Sequence, residues 1–253
     1  MNDLQKYLFT SILATAALLV GGVSSVSAQV PAGALTNFAA LGGTAVTCTG
    51  GSIVGDVGIS PGITAAYTNT GCLAVGGTPP ATNQAAAQAR ADLAGAYAAF
   101  QSMSANCTAI TGSLAASNLA PGVYCVDAVA KTGTLTLTGP STGTWVFLIN
   151  GALTGTNFSV EMAGGAEPCN VFWVPGLAAT MTTSALKGSI LAGNEVSGSI
   201  TLTGGSLAGQ ALASVALTTT GTSVIGCQAF ATPPGTTTPP GTTPSLPRYG
   251  HDD

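Results

Sequence analysis

Threonine at alternate positions, recurring along a chain that is poor in charge and punctuated by glycine, constrains the fold of this sequence more than any other feature. The pairs are Thr136 and Thr138, Thr154 and Thr156, Thr180 and Thr182, Thr201 and Thr203, and Thr218 and Thr220, each following the last at a similar but unequal interval. Alternation with period two is the signature of a strand with one buried face, so in Leu135-Thr136-Leu137-Thr138 the leucines point inward and the threonines outward. Longer units partly repeat as well: Leu186-Lys-Gly-Ser-Ile-Leu-Ala returns as Leu207-Ala-Gly-Gln-Ala-Leu-Ala, and Val146-Phe-Leu-Ile-Asn-Gly resembles Val171-Phe-Trp-Val-Pro-Gly. Units of this length are too short to fold alone and carry glycine at their corners, the pattern of a mainly β fold built as a β-solenoid with coils of unequal size.

Stacking such coils in register creates a surface with unusual properties. Rows lie about 4.7 Å apart and columns roughly 6.6 Å apart, the spacings of paired strands and of alternate strand residues. Each point carries a methyl and a hydroxyl, stiff at χ1 because threonine is β-branched. Water above a flat array of this kind is held in a regular pattern, so the ten threonines named above are the candidate site residues. Strand propensity alone also favours threonine, which makes the recurrence more informative than any single pair.

The chain is organised in three parts. Residues 1–28 hold Lys6, an apolar run from Leu8 to Val23 and the small residues Val26-Ser27-Ala28 before Gln29. This pattern predicts a cleaved secretory signal and an extracellular mature protein with no membrane span. Residues 29–230 form the solenoid domain, interrupted by an alanine- and glutamine-rich stretch that predicts a helix over about 79–102. Thr78 is its expected cap, and Ala85, Ala89, Leu93, Ala96, Tyr97 and Phe100 its packing stripe. Residues 231–253 contain Pro-Pro-Gly-Thr-Thr twice and predict an extended, disordered tail, compatible with cell-surface attachment.

Residue inventory excludes several functions. Only 6% of residues are charged and the net charge is -4, so a nucleic-acid partner, which requires a basic stripe, is not expected. The acids of the domain, Asp56, Asp92, Asp127, Glu161, Glu167 and Glu195, are scattered, and the only histidine is His251 in the tail. A Ser-His-Asp arrangement, a paired-carboxylate site and a zinc site therefore lack their residues. The reading is a protein without catalysis, metal or cofactor, expected to be a monomer. Its six cysteines, Cys48, Cys72, Cys107, Cys125, Cys169 and Cys227, suit disulfides in an exported chain.

Several motifs taken together resemble one family. Asn37-Phe-Ala-Ala-Leu-Gly-Gly, Gly55-Asp-Val-Gly-Ile-Ser-Pro-Gly62, the helix Ala85 to Tyr97, Leu119-Ala-Pro-Gly-Val-Tyr124, Gly133-Thr-Leu-Thr-Leu, Cys169-Asn-Val-Phe-Trp173 and Leu186 to Ala192 look like the DUF3494 ice-binding protein family, in order, over roughly residues 33 to 226. The resemblance implies a right-handed, irregular β-solenoid of triangular cross-section with one long α-helix packed alongside, and adsorption to an ice crystal surface through a flat outer face. It carries over the type of site and not particular residues, so the face bearing Gly188-Ser-Ile-Leu-Ala and Gly209-Gln-Ala-Leu-Ala competes with the threonine face. Pro61 to Thr78, with Cys72, looks like the family's variable cap, which Cys48 would pin. On the implied solenoid Cys107 and Cys125 sit one coil apart, leaving Cys48 with Cys72 and Cys169 with Cys227. The alternative function is adhesion or carbohydrate contact by a surface or matrix protein on the same scaffold.

Overall fold

The computed structural model describes residues 33–61, 66–75 and 83–227; the signal and tail segments and the Thr78 cap lie outside them. Each complete turn of the chain lays down three straight runs, and equivalent runs of successive turns pair in parallel to form three faces. The first face is an eight-stranded parallel sheet whose order interrupts the sequence. From one end it runs Thr108–Ile110, Gly122–Asp127, Trp145–Asn150, Val171–Pro175, Ser189–Ala192 and Ala211–Ala213, then returns to the N-terminal strands Phe38–Gly42 and Asp56–Ile59. The amino-terminal coils thus stack on the carboxy-terminal one, with Ala40 opposite Ala211 and Leu41 opposite Leu212.

The other two faces share strands that bend round a corner. Leu153–Ala163, Ala179–Lys187 and Ile200–Ala208 each cross from the second face to the third. In the C-terminal coil the same path is split into Ala216–Thr220 and Ser223–Ile225, and in the N-terminal coils into Ala45–Thr49 with Ser52–Val54 and Tyr67–Thr70 with Leu73–Val75.

Alternation sends one set of side chains into the coil and the other outward. Leu135, Leu137, Phe158, Val160, Met181, Leu202 and Leu217 fill the interior with Phe147 and Trp173. Tyr124, Phe147 and Trp173 come from consecutive coils and form an aromatic ladder, with ring centroids 5.5 and 4.2 Å apart. Both indole N–H groups are satisfied: Trp145 donates to the Leu119 carbonyl at 3.0 Å and Trp173 to that of Lys187 at 2.9 Å.

The first face is apolar on both sides, as its near-continuous apolar runs require. Its outward residues Val146, Leu148, Val174, Leu191 and Leu212 pack against the helix Gln84–Gln101 through Ala86, Ala89, Leu93, Ala96 and Phe100. An 18-residue helix is about 27 Å long, while seven steps between eight strands span about 33 Å. With the short 3-10 turn Ser102–Asn106 that follows it, the helix returns the chain from one end of the stack to the other.

Several details differ from the sequence reading. The helix is capped by Asn83, whose side chain accepts from the Ala85 amide, and Ala86 is buried where Ala85 was expected. The competing face of Ser189–Ala192 and Ala211–Ala213 is wholly buried, because the helix and the N-terminal strands occupy it. Trp145–Asn150 pairs with Val171–Pro175 so that Val146 stands opposite Phe172, one step from its textual counterpart Val171. The disulfides join Cys107 to Cys125, Cys48 to Cys72 and Cys169 to Cys227, with Cα separations of 5.4, 5.8 and 5.6 Å.

Candidate functional site

The second face carries two columns of threonine in unbroken register. One column is Thr154, Thr180, Thr201, Thr218, Thr47 and Thr68; the other is Thr156, Thr182, Thr203, Thr220, Thr49 and Thr70. Every member lies directly opposite the next, so the twelve points form a lattice with steps of about 4.8 Å along a column and about 6.6 Å between columns. Each threonine is half-buried or exposed.

Inward neighbours hold these strands flat. Leu153, Ala179, Met181, Ile200, Leu202, Leu217 and Val46 alternate with the threonines and are buried in the coil. Thr219 sits inward on the same strand as Thr218 and Thr220, and its hydroxyl donates to the Cys48 sulfur at 3.0 Å. A buried hydroxyl without a partner is costly, so this bond lets a threonine replace an aliphatic residue inside the coil. Because Cys48 is also tied to Cys72, the same atom helps fix the strands bearing Thr47, Thr49, Thr68 and Thr70.

The array contains no ionisable side chain. Glu161 and Lys187 lie on the third face, Asp127 and Lys131 at the far end of the stack, and Arg90 and Glu195 form an ion pair near the helix. Shifted titrations also fall elsewhere: burial raises the Tyr97 and Tyr124 phenols, and hydrogen bonds from the Gly112 amide and Lys131 lower the Asp127 carboxyl. Among the described residues no group of three or more His, Cys, Asp or Glu could hold a metal ion. What the face offers chemically is rigid methyls and hydroxyls at regular intervals, suited to a periodic, uncharged ligand.

Eight of the ten threonines singled out in the sequence meet on this face. Thr136 and Thr138 do not, since they lie on the third face opposite Glu161 and Ala163. That coil crosses the second face earlier in its strand, where Lys131 stands opposite Gly155, so Thr136 and Thr138 fall beyond the corner; alternation by itself cannot tell one outer face from another. Sequence reasoning missed Thr47, Thr49, Thr68 and Thr70. They too stand two apart, in Thr47-Cys-Thr49 and Thr68-Asn-Thr70, but they join the array only through the stacking of the first coils on the last.

Comparison with known proteins shows the family of the chain. The family model described as ice-binding-like matches residues 40–225. Ice-binding protein K3-B1 of Typhula ishikariensis is 32% identical over 211 residues, covering 74% of this chain and 87% of that protein. An ice-binding protein of Nostoc sp. (strain HG1) is 37% identical over 166 residues, covering 63% and 61% of the two chains. The crystal structure of an ice-binding protein from the Antarctic ascomycete Antarctomyces psychrotrophicus superposes with a TM-score of 0.64 at 30% identity, covering 76% of this chain and 96% of that one. On the extent of the family match and the similarity of the Typhula protein over most of its length, this chain belongs to the ice-binding-like family.

Proposed function

We propose that this protein is exported and, as a monomer, adsorbs to ice through the two-column threonine face, so that it slows ice growth and recrystallisation without any catalytic step. The observation that carries the reading is the register of twelve threonines on one uncharged face. Stiff side chains at fixed spacing hold their hydration water in one arrangement, and that water can merge with a crystal plane at small ordering cost. Molecules held irreversibly on a growing front force it to curve between them, and curvature lowers the local freezing point. The adhesion alternative has no support from the relatives.

Slow growth of a single ice crystal in fluorescently labelled protein tests the reading. Uptake of label on defined planes is expected, with faceting at micromolar concentration. Exclusion of the label, with a rounded crystal, refutes it. Amino-terminal sequencing of secreted protein tests export, and a first residue of Gln29 is expected.

A further inference from the structure

One edge of the threonine face is a corner whose residues all adopt the left-handed conformation. Asn157, Thr183, Gly204, Gly221, Gly50 and Gly71 immediately follow Thr156, Thr182, Thr203, Thr220, Thr49 and Thr70, the second of the two columns, and their φ angles run from 46° to 67°. Glycine adopts this conformation freely and asparagine tolerates it, whereas a β-branched residue does so only under strain. Four coils use glycine here, one uses asparagine, and Thr183 has φ 46°.

Space does not account for the difference. A side chain at Gly71 or Gly221 would meet nothing within 4 Å, and one at Gly50 or Gly204 only ordinary contacts of 3.9 and 3.5 Å. The glycines therefore serve the backbone, and Thr183 is the position where a side chain is kept against the backbone's preference. Strain of this kind persists where the surroundings or a function enforce it. Thr183 is exposed. Its hydroxyl donates to Asn157 Oδ1 at 2.6 Å, which links the corners of two adjacent coils. Each side chain follows an array member, Thr156 or Thr182, by one residue, about 3.8 Å along the backbone.

We propose that Thr183 and Asn157 are further ice-contacting residues, a hydrogen-bonded pair that adds a third column to the array over two coils. This rests on the reading of the threonine face as the ice site. The pair broadens the face at one edge and presents polar groups fixed relative to Thr156 and Thr182. The bare glycine corners leave the other coils two columns wide.

The test compares thermal hysteresis and melting temperature for the full mature chain and its variants Thr183→Gly, Asn157→Gly and Thr201→Tyr. Thr183→Gly relieves the backbone and removes the side chain, so a structural role and an ice-contact role give opposite results. The proposal expects hysteresis to fall in both glycine variants while the melting temperature of Thr183→Gly holds or rises. Unchanged hysteresis in the glycine variants, with Thr201→Tyr impaired, overturns the proposal and leaves the array intact. A fall in both hysteresis and melting temperature for Thr183→Gly also overturns it, because the side chain would then serve stability. Full activity in Thr201→Tyr removes the underlying reading of the face.

Discussion

Replacing Gln210 by leucine should loosen the joint on which a third of the threonine array depends. Gln210 is buried at the start of the C-terminal coil, and its Nε2 donates to the carbonyls of Leu35 and Phe38 at 2.6 and 2.7 Å. Its Oε1 accepts from the Ser189 hydroxyl at 3.3 Å. One amide therefore ties the amino-terminal segment to the coil beneath it, although the two lie 175 residues apart in sequence. Leucine is close in volume, so no cavity term enters. The variant instead removes the Nε2 donor from the carbonyls of Leu35 and Phe38, of which Leu35's keeps the Phe38 amide as a partner, and the Oε1 acceptor from the Ser189 hydroxyl. At about 0.5–1.5 kcal/mol net for each hydrogen bond lost, the three bonds together amount to about 2–4 kcal/mol. For a domain of this size it lowers Tm by roughly 5–15 °C. Thermal unfolding followed by circular dichroism measures it. Hydrogen exchange should show faster opening at Val46 to Thr49, whose strand follows Phe38–Gly42 on the same coil, with Met181 and Thr182 unaffected. A Tm within about 1 °C of the parent, where a loss of this size is expected, would refute the argument that this amide closes the stack.

Three further outcomes follow from other parts of the molecule. Cys107→Ser with Cys125→Ser opens a link of 18 residues and should cost about 3 kcal/mol, read as a lower Tm with hysteresis retained in the folded protein. Asp127 is held below its ordinary value of 3.8 by the Gly112 amide and Lys131, so its contribution is present above about pH 3.8 and fades as pH falls through the lowered value. The Tm gap between the parent and Asp127→Asn should therefore close on acidification, and a gap independent of pH would contradict the assignment. Gly51→Ala places a Cβ 2.2 Å from the Thr222 carbonyl oxygen at φ 79°, whereas Gly71→Ala, at φ 67°, meets nothing. Calorimetry should find the first substantially more destabilising than the second, which bears only the left-handed backbone cost of about 1 kcal/mol.

Sequence alone exposed the repeat because each coil obeys local rules. Leu135 and Leu137 alternate with threonines and are buried, and the offsets between Thr154, Thr180, Thr201 and Thr218 are the registers in which those strands pair. What stayed hidden was non-local. Thr218 pairs with Thr47, from the opposite end of the domain's sequence, because the helix returns the chain to the far end of the stack, and no period along the text encodes that step. The helix start shifted to Asn83 because its side-chain oxygen is the group that satisfies a first-turn amide. The left-handed corner was equally invisible at Thr183, since a threonine in a threonine-rich strand gives no sign of positive φ.

On the proposed reading, position on the second face, and not threonine content, makes the site. Thr201→Tyr and Thr136→Tyr change the same residue type on two faces of one protein, and thermal hysteresis of the pair distinguishes them. Tyrosine at Thr201 lifts ice from that point and from its neighbours Thr180, Thr218 and Thr203. Four methyl contacts at about 0.8 kcal/mol each amount to about 3 kcal/mol, or roughly two orders of magnitude in adsorption. A large loss is expected for Thr201→Tyr and parental activity for Thr136→Tyr, with both variants folded. Equal losses, or a loss confined to Thr136→Tyr, would contradict that reading.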